Sequence, residues 1–125
     1  DFVAQDIESA RPALVALLEL DEDAFRARFQ GRAIMRAKRD GLVRNACVAL
    51  GNVGRRDDEA ALTGALGDSS PLVRAHAAWG IASLAIRHGL RDIARRTLER
   101  QTETEHDPSV LEELRAALGE LATPR

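Results

Sequence analysis

Cysteine is almost absent from this 125-residue chain, which contains a single one, Cys47. One thiol cannot form an internal disulfide framework or a multi-cysteine metal site, and such sparing use of cysteine is typical of the cytoplasm. Tyrosine is missing, and three phenylalanines and one tryptophan are the only aromatic residues. Because alanine, leucine and arginine dominate instead, the composition argues against an all-β fold.

Long apolar runs are missing as well. No stretch approaches the roughly 18 apolar residues that a membrane-spanning helix needs, so we expect no such helix and no membrane partner. The chain starts at Asp1 with neither an initiator methionine nor the basic and apolar segments of a signal peptide. We therefore expect a cytoplasmic protein, and a module of something larger.

Charge is unevenly distributed, although the formal net charge is only −2. Residues 1–25 carry seven acidic side chains against one arginine, whereas residues 26–56 carry nine basic side chains against Asp40 alone. Residues 57–98 are balanced, and the segment from Glu99 onward is acidic again. Such a basic segment creates a local field that attracts phosphate or an acidic surface. The alternative is a solvated, arginine-rich helix face.

Three similar segments recur along the chain, beginning at Leu42, Leu72 and Val110. Their offsets, 30 and 38 residues, lie in the range of helical repeat proteins. A second helical pattern follows the first segment at about residues 57–66, and another follows the second at about residues 90–104. Each repeat is thus predicted to be a helix, a turn and a second helix.

The turns between these helices carry matching signals. Ser70 precedes Pro71, and Asp107 precedes Pro108. Each pair offers a side chain that can cap a helix, followed by a proline suited to the first helical turn. The segment Ser-Pro-Leu-Val-Arg at the start of the second repeat resembles the HEAT-like repeat family, in particular its short bacterial form.

We predict an all-α fold. Residues 40–125 are expected to form a HEAT-like α-solenoid of about two and a half helical-hairpin repeats. Residues 1–39 are expected to contribute capping helices, at about 12–20 and 22–30, and a basic turn. Both parts should form one compact module, because each repeat buries its apolar face only against its neighbours.

A second resemblance joins two motifs in a fixed order. The first lies between Asp21 and Asn52 and contains Phe-Arg-Ala-Arg-Phe-Gln-Gly, a basic pair and Gly-Leu-Val-Arg-Asn-Ala-Cys-Val-Ala-Leu-Gly-Asn. The second is Pro-Leu-Val-Arg-Ala-His-Ala-Ala-Trp, which ends at Trp79. Together they resemble the C-terminal region of the epoxyqueuosine reductases, over about residues 13–121.

This resemblance implies a parent enzyme that reduces epoxyqueuosine to queuosine at the wobble position of tRNA, using cobalamin and two 4Fe-4S clusters. The cysteines that bind the clusters would lie upstream, in an N-terminal catalytic domain that is missing here. Cys47 itself is not expected to be a cluster ligand, because it belongs to a helix predicted to be buried. We expect the chain itself to be non-catalytic, to hold no cofactor, and to help bind the tRNA anticodon stem-loop.

The candidate RNA-binding residues are cations and polar side chains of the basic segment and of the second repeat: Arg32, Arg36, Lys38, Arg39, Arg44, Asn45, Arg74 and His76. Convergent arginines bind phosphate, since the guanidinium fork matches two phosphate oxygens. Arg44 and Arg74 occupy equivalent places in successive repeats. They would extend one basic strip, or else bond to loop carbonyls or to Asp68 between repeats. Asn45 would face a ligand or a neighbouring loop.

Two further residues and one rival function complete the predictions. Trp79 lies three residues from His76 on one helical face, where it would stack on an unpaired base or, as is commoner, pack in the core. Asn52 is expected to end its helix, because asparagine tolerates the left-handed conformation. No catalytic constellation stands out. The rival function is a protein–protein scaffold, the usual role of HEAT-like solenoids.

Overall fold

The computed structural model describes residues 11–19 and 33–123. Every regular element in these ranges is helical: α1 (residues 11–18), α2 (Ala33–Val53), a 3₁₀ turn (Arg56–Asp58), α3 (Glu59–Ala65), α4 (Pro71–His88), α5 (Arg91–Thr104) and α6 (Pro108–Ala122). The predicted all-α class is thus confirmed for the described part of the chain. None of the helices in these two ranges is long and apolar enough to cross a membrane.

Capping side chains start α4 and α6 where the turn signals predict. The Ser70 hydroxyl accepts a hydrogen bond from the Val73 N–H at 3.3 Å, and Pro71 is the first residue of α4. The Asp107 carboxylate accepts two backbone N–H bonds at the start of α6. At the other end of α4, Gly89 has a φ of 70°, which glycine adopts without strain.

Helix α4 is the centre of the molecule and packs against α2, α3, α5 and α6, most extensively against α2 and α6. Its fully buried side chains include Val73, Ile81 and Leu84. Glycine brings the backbones of α2 and α4 close together, since a Cβ atom at Gly80 would lie 2.9 Å from the Cys47 carbonyl oxygen. The apolar core is therefore built around α4, which contacts two earlier helices, α2 and α3, and two later ones, α5 and α6.

Arginine side chains from neighbouring segments bind the ends of three helices. Arg87 donates to the Gly51 carbonyl oxygen of α2 at 2.8 Å, and Arg56 donates to the His88 carbonyl oxygen of α4 at 2.6 Å. Arg91 donates to the Leu121 carbonyl oxygen in the last turn of α6 at 2.8 Å. The last carbonyl groups of a helix lack helical partners and carry partial negative charge, so a guanidinium satisfies them. These arginines therefore connect helices.

Helix α2 is longer than predicted at both ends. It begins at Ala33, so a single helix crosses the expected boundary between residues 39 and 40. It also continues past Asn52, and the N–H of Gly54 still bonds to the carbonyl four residues earlier, at 2.8 Å. The prediction that Asn52 ends this helix in a left-handed conformation is wrong, because regular helical bonding continues beyond it.

The N-terminal capping segment is described only in part. Helix α1 corresponds to the helix predicted at about residues 12–20, and its Leu18 is buried in the core. Arg11 of α1 donates to Asp58 Oδ1 at 2.5 Å, which ties this helix to the turn before α3. The second predicted capping helix, at about residues 22–30, lies outside the described residues, as does Arg32.

Helix α6 is shifted by one residue relative to the sequence alignment of the segments that begin at Leu72 and Val110. The capping residues Ser70 and Asp107 are 37 positions apart, and the fully buried Val73 and Val110 keep the same interval. The alignment that places Val110 opposite Leu72 is therefore wrong, since Leu72 is 41% exposed. The cap sets the phase of each helix and hence which side chains face the core.

Candidate nucleic-acid interface

Arg39, a predicted phosphate ligand, is buried, with 2% of its surface exposed. Its Nη1 and Nη2 atoms donate to the two carboxylate oxygens of Asp68 at 2.9 and 2.5 Å, and Nη1 also donates to Asp40 at 3.0 Å. Hydrogen bonding to Asp68 raises the pKa of Arg39, and burial opposes this rise. Asp68 lies in the loop before α4, so this pair ties α2 to that loop.

Arg74 makes the same kind of bridge from α4 to the loop before α6. Its Nε and Nη2 atoms donate to the Glu105 carboxylate at 2.9 and 3.0 Å, and Nη1 donates to the carbonyl oxygens of Asp68 and Ser69. Hydrogen bonding from Arg74 lowers the pKa of Glu105 to about 2. These contacts are the loop-bonding role that the sequence left open for Arg74.

The two carboxylates of these bridges are themselves equivalent. Asp68 accepts the N–H of Ser70 at 2.9 Å, and Glu105 accepts the N–H of Asp107 at 3.1 Å. Each carboxylate thus fixes the loop just before a capping residue while it binds an arginine two helices earlier, Arg39 on α2 or Arg74 on α4. We call the four bridging residues the loop edge: Arg39, Asp68, Arg74 and Glu105.

The predicted basic residues therefore do not form one strip. Carboxylates of the following loops engage Arg39 and Arg74 bidentately, and a phosphate contact would have to compete with those bonds. Lys38 and Asn45, by contrast, are exposed and lie two turns apart on α2. Arg44 is half-buried, and its Nε donates to the Asn45 side-chain oxygen at 3.1 Å.

The cations of α2 outside the loop edge differ from Arg39 in their surroundings. Among the described residues, no carboxylate lies within ion-pair distance of Lys38 or Arg44. A cation that is not already paired with a carboxylate can neutralise a phosphate, and this releases counterions from the nucleic acid. Lys38 and Arg44 are cations of this kind. Arg36 is also exposed on this helix.

A groove runs along α4 where this helix meets α2 and α6. It consists of two depressions of about 220 and 480 Å³ that share Trp79 and Glu113. Among the described residues, only side chains of these three helices line it, and they include Val48, His76, Trp79, Ser83, Glu113 and Glu120. We call it the Trp79 groove. None of the four loop-edge residues lines it.

Trp79 is 38% exposed, so the expectation that it packs in the core is wrong. The reason is the close approach of α2 and α4. A Cβ atom at Gly51 would lie 2.9 Å from the Gly80 Cα and 2.7 Å from the indole ring. Because no space for an indole remains between the two backbones, the ring packs over Gly51 and faces the groove.

His76 and Glu113 flank Trp79 in the smaller depression. The Nδ1 atom of His76 lies 2.8 Å from the Leu72 carbonyl oxygen. A carbonyl oxygen only accepts hydrogen bonds, so Nδ1 carries the proton and Nε2 is an acceptor in the neutral ring. Glu113 comes 37 residues later, at the equivalent position of α6, and an ionised carboxylate is also only an acceptor.

Cys47 does not fit the role of a metal ligand or a nucleophile. It is fully buried in α2, and burial raises the pKa of its thiol to about 12. The thiolate, which is the reactive and metal-binding form, is therefore disfavoured at neutral pH. A four-iron cluster takes about four thiolates, and this chain has one cysteine. Among the residues that the structure describes, no cluster of three or more His, Cys, Asp or Glu could hold a metal ion.

Comparison with known proteins identifies no family for this chain. No protein-family model matches the chain, and neither a curated protein nor a solved structure matches it. The resemblance of the two sequence motifs to the epoxyqueuosine reductases therefore stays a prediction. The Trp79 groove and the solvated cations of α2 are the features of this surface that suit a ligand.

Proposed function

We propose that the chain is a non-catalytic helical module that binds RNA through the face formed by α2, α4 and α6. One observation carries this proposal: the only tryptophan, Trp79, is exposed in a groove, and solvated cations lie on the helix that borders it. Proteins that bind unpaired RNA combine positive charge for the phosphates with aromatic rings on which bases stack. Lys38 and Arg44 supply the first and Trp79 the second.

We propose that the module is a HEAT-like stack of helical hairpins. Its support is the packing of α4 against both α2 and α6, together with the recurrence of one bonding pattern at a constant interval. Ser70 and Asp107 cap equivalent helices, and Asp68 and Glu105, also 37 positions apart, each bind an arginine of an earlier helix. In such a stack each unit is stabilised by contact with its neighbours.

We further propose that this module belongs to an epoxyqueuosine reductase and helps hold the tRNA anticodon stem-loop against the catalytic domain. Two ordered motifs support the family, and Arg44, Asn45 and His76 of those motifs lie on α2 and α4. Cobalamin and the two 4Fe-4S clusters would be held by the rest of the enzyme. The reading frame upstream of Asp1 tests the family: we expect two sets of four-iron cysteine ligands there. Their absence contradicts the family and leaves RNA binding to be tested separately.

Fluorescence anisotropy of a labelled anticodon stem-loop, at two salt concentrations, tests RNA binding. The variant Lys38→Ala/Arg44→Ala should bind more weakly, and its log–log salt dependence should flatten by roughly one unit for each phosphate that it no longer neutralises. Arg96→Ala/Arg100→Ala is the matched control. It removes the same charge from exposed positions of α5, a helix that does not line the groove.

Three outcomes decide the proposal. Weaker binding by the Lys38→Ala/Arg44→Ala variant with an unchanged control supports RNA binding at this face. Equal weakening in both variants contradicts it, since net charge rather than this face would then govern binding. Negligible binding by the unaltered protein at physiological salt contradicts RNA binding altogether. Arg39 is left intact in every variant, because its replacement would perturb the fold.

A protein–protein scaffold is the second candidate, and two exposed leucines favour it. Leu42 on α2 and Leu72 on α4 are 44% and 41% exposed, at positions 30 residues apart. Large apolar side chains that recur on a surface suit a protein partner better than a solvated face. The expected partner is the catalytic domain of the proposed epoxyqueuosine reductase. In a pull-down with that domain, Leu42→Ser/Leu72→Ser should lose capture while stem-loop binding is retained; unchanged capture contradicts the scaffold role of these leucines.

A further inference from the structure

The polar groups that flank Trp79 in the smaller depression share one property: they accept hydrogen bonds. In the neutral ring of His76, Nε2 is an acceptor because Nδ1 donates to the Leu72 carbonyl oxygen. Glu113 adds two carboxylate oxygens, and the remaining lining residues, Val48 and Ala75, are apolar. A flat ligand that lies on the indole ring is therefore held best if N–H donors line its edge.

Positive charge borders this depression on the α2 side. Arg44 precedes Val48 by four residues, so it lies about 6 Å, roughly one helical turn, along α2 from a lining residue. Its Nε bonds to Asn45, and no described carboxylate pairs with its guanidinium. The smaller depression thus has a cation at its rim and acceptors inside. Arg87 lines only the larger depression, and its guanidinium is bonded to the Gly51 carbonyl oxygen of α2.

This order of charges favours a nucleotide over a basic peptide. A peptide rich in arginine would satisfy Glu113 but would bring its other cations towards Arg44 and Lys38. A nucleotide matches both parts, because its phosphate is negative and its base carries N–H donors. Aromatic stacking with edge-on hydrogen bonds is also how unpaired RNA bases are recognised.

The acceptors further select among the bases. Guanine carries two adjacent donors, N1–H and N2–H, on its Watson–Crick edge, and they match the two oxygens of a carboxylate. Adenine and cytosine place a ring-nitrogen acceptor beside their amino group, and uracil flanks its single N–H with two carbonyl oxygens. Those acceptors would face the negative charge of Glu113.

We propose that the Trp79 groove binds one unpaired guanine of an RNA strand, with the base stacked on Trp79, its N1–H and N2–H donating to Glu113, and its phosphate held by Arg44. This inference rests on the proposed RNA-binding function and adds a base-specific subsite to it. Lys38, two turns from Asn45 on α2, extends the path of the strand away from the groove.

Trp79 is the only tryptophan, so its fluorescence reports on this site alone. The probes are the RNA pentamers UUGUU, UUAUU, UUCUU and UUUUU, titrated into the full chain. We expect UUGUU to quench the fluorescence of Trp79 and to bind about tenfold more tightly than the other three pentamers. A difference of this size corresponds to one bidentate contact with a base. Glu113→Gln should abolish the preference for guanine, since its amide places a donor against the donors of the base.

Glu112→Gln is the matched control. It makes the same charge change at the neighbouring, exposed position, which does not line the groove, and should keep the guanine preference. Trp79→Ala should weaken pentamer binding, measured by anisotropy, by about tenfold, as removal of one stacked base does. Far-UV circular dichroism of each variant verifies that the helices are retained.

The failures of the subsite and of RNA binding are distinguishable. Quenching by all four pentamers with equal affinity overturns the guanine assignment. Stem-loop binding without any change in Trp79 fluorescence overturns the subsite and leaves RNA binding elsewhere on the chain. Quenching by an oligoarginine peptide but by no pentamer overturns the subsite and assigns the groove to a basic protein segment. Absence of binding by pentamers and stem-loop alike overturns the RNA function itself.

Discussion

The loop edge and the Trp79 groove use the same kinds of side chain in opposite ways. At the loop edge, Arg39 and Arg74 are bonded bidentately to Asp68 and Glu105, and the charges are largely withdrawn from water. Along the groove, no described residue forms an ion pair with Glu113, and Lys38 and Arg44 on α2 are likewise unpaired with any described carboxylate. One region is closed on itself, and the other leaves its charges without an ion-pair partner among the described residues.

This difference shows that the number of arginines does not measure affinity for nucleic acid. An arginine becomes structural where a later loop places a carboxylate at its guanidinium, because the bidentate pair satisfies both groups as they leave water. Arg39 and Lys38 are neighbours in the chain, yet only Arg39 points towards such a carboxylate. Substitutions matched between the two regions test this division.

The largest expected effect is at Arg39. Arg39→Ala leaves the Asp68 carboxylate without its main partner in a largely buried position, and this should lower the free energy of unfolding by about 3–5 kcal/mol. Lys38→Ala, one residue away on the exposed side of α2, should change it by less than about 0.5 kcal/mol. Urea unfolding followed by circular dichroism measures both. Similar midpoints for the two variants would show that Arg39 is solvated and that the loop edge is not closed.

Glu105 gives the next effect, and it depends on pH. Glu105→Gln removes charge-assisted bonds to Arg74 and should cost about 1.5–3 kcal/mol at pH 7. The pKa of Glu105 is lowered from 4.5 to about 2. Its contribution is therefore complete above pH 4.5 and is lost as the pH falls through 2. The difference in unfolding free energy between the two proteins should shrink over this interval.

The groove supplies the control for that titration. Glu113→Gln makes the same chemical change at a carboxylate without an ion-pair partner among the described residues, so stability should stay within about 0.5 kcal/mol of the unaltered protein. A pH-independent cost of Glu105→Gln between pH 2 and 7 would contradict an ionic bridge to Arg74.

Local signals were sufficient to predict where α4 and α6 begin, but not the bridges that involve the loops before them. Ser70-Pro71 and Asp107-Pro108 act within a few residues, so their effect can be recognised in the sequence. The Arg39–Asp68 pair joins residues 29 positions apart. Its formation depends on how α2 packs against α4, which no local pattern contains.

The exposure of Trp79 could not be predicted for a related reason. The composition of an alanine-rich helix favours a buried tryptophan, and only the contact of Gly51 with Gly80 removes the space for it. Both glycines are visible in the sequence, but their opposition across two helices is not. The sequence shows only that Trp79 is flanked by the small residues Ala78 and Gly80, and this does not fix the exposure of the ring.

Gly51 and Gly41, ten residues apart in α2, differ in their surroundings. Gly51 lies against Trp79 and Gly80 of α4, whereas Gly41 faces open space. Gly51→Ala forces a methyl group against Trp79 and the Gly80 backbone and should cost about 1–3 kcal/mol. Gly41→Ala meets nothing within 4 Å and should stabilise the helix by up to about 1 kcal/mol. Thermal unfolding measures both, and the emission maximum of Trp79 should shift in the Gly51 variant only. Stabilisation by both alanines would contradict the close contact of α2 and α4.

The smallest effect distinguishes two serines of α4. Ser70 at the start of this helix caps it, and Ser70→Ala should cost about 1 kcal/mol because a backbone N–H loses its acceptor. Ser83 lines the groove within the helix, where alanine is the better helix former, so Ser83→Ala should gain a few tenths of a kcal/mol. Hydrogen exchange of the Val73 amide, which Ser70 protects, should accelerate in the Ser70 variant alone. Equal exchange in both variants would mean that Pro71, rather than the serine hydroxyl, sets the start of α4.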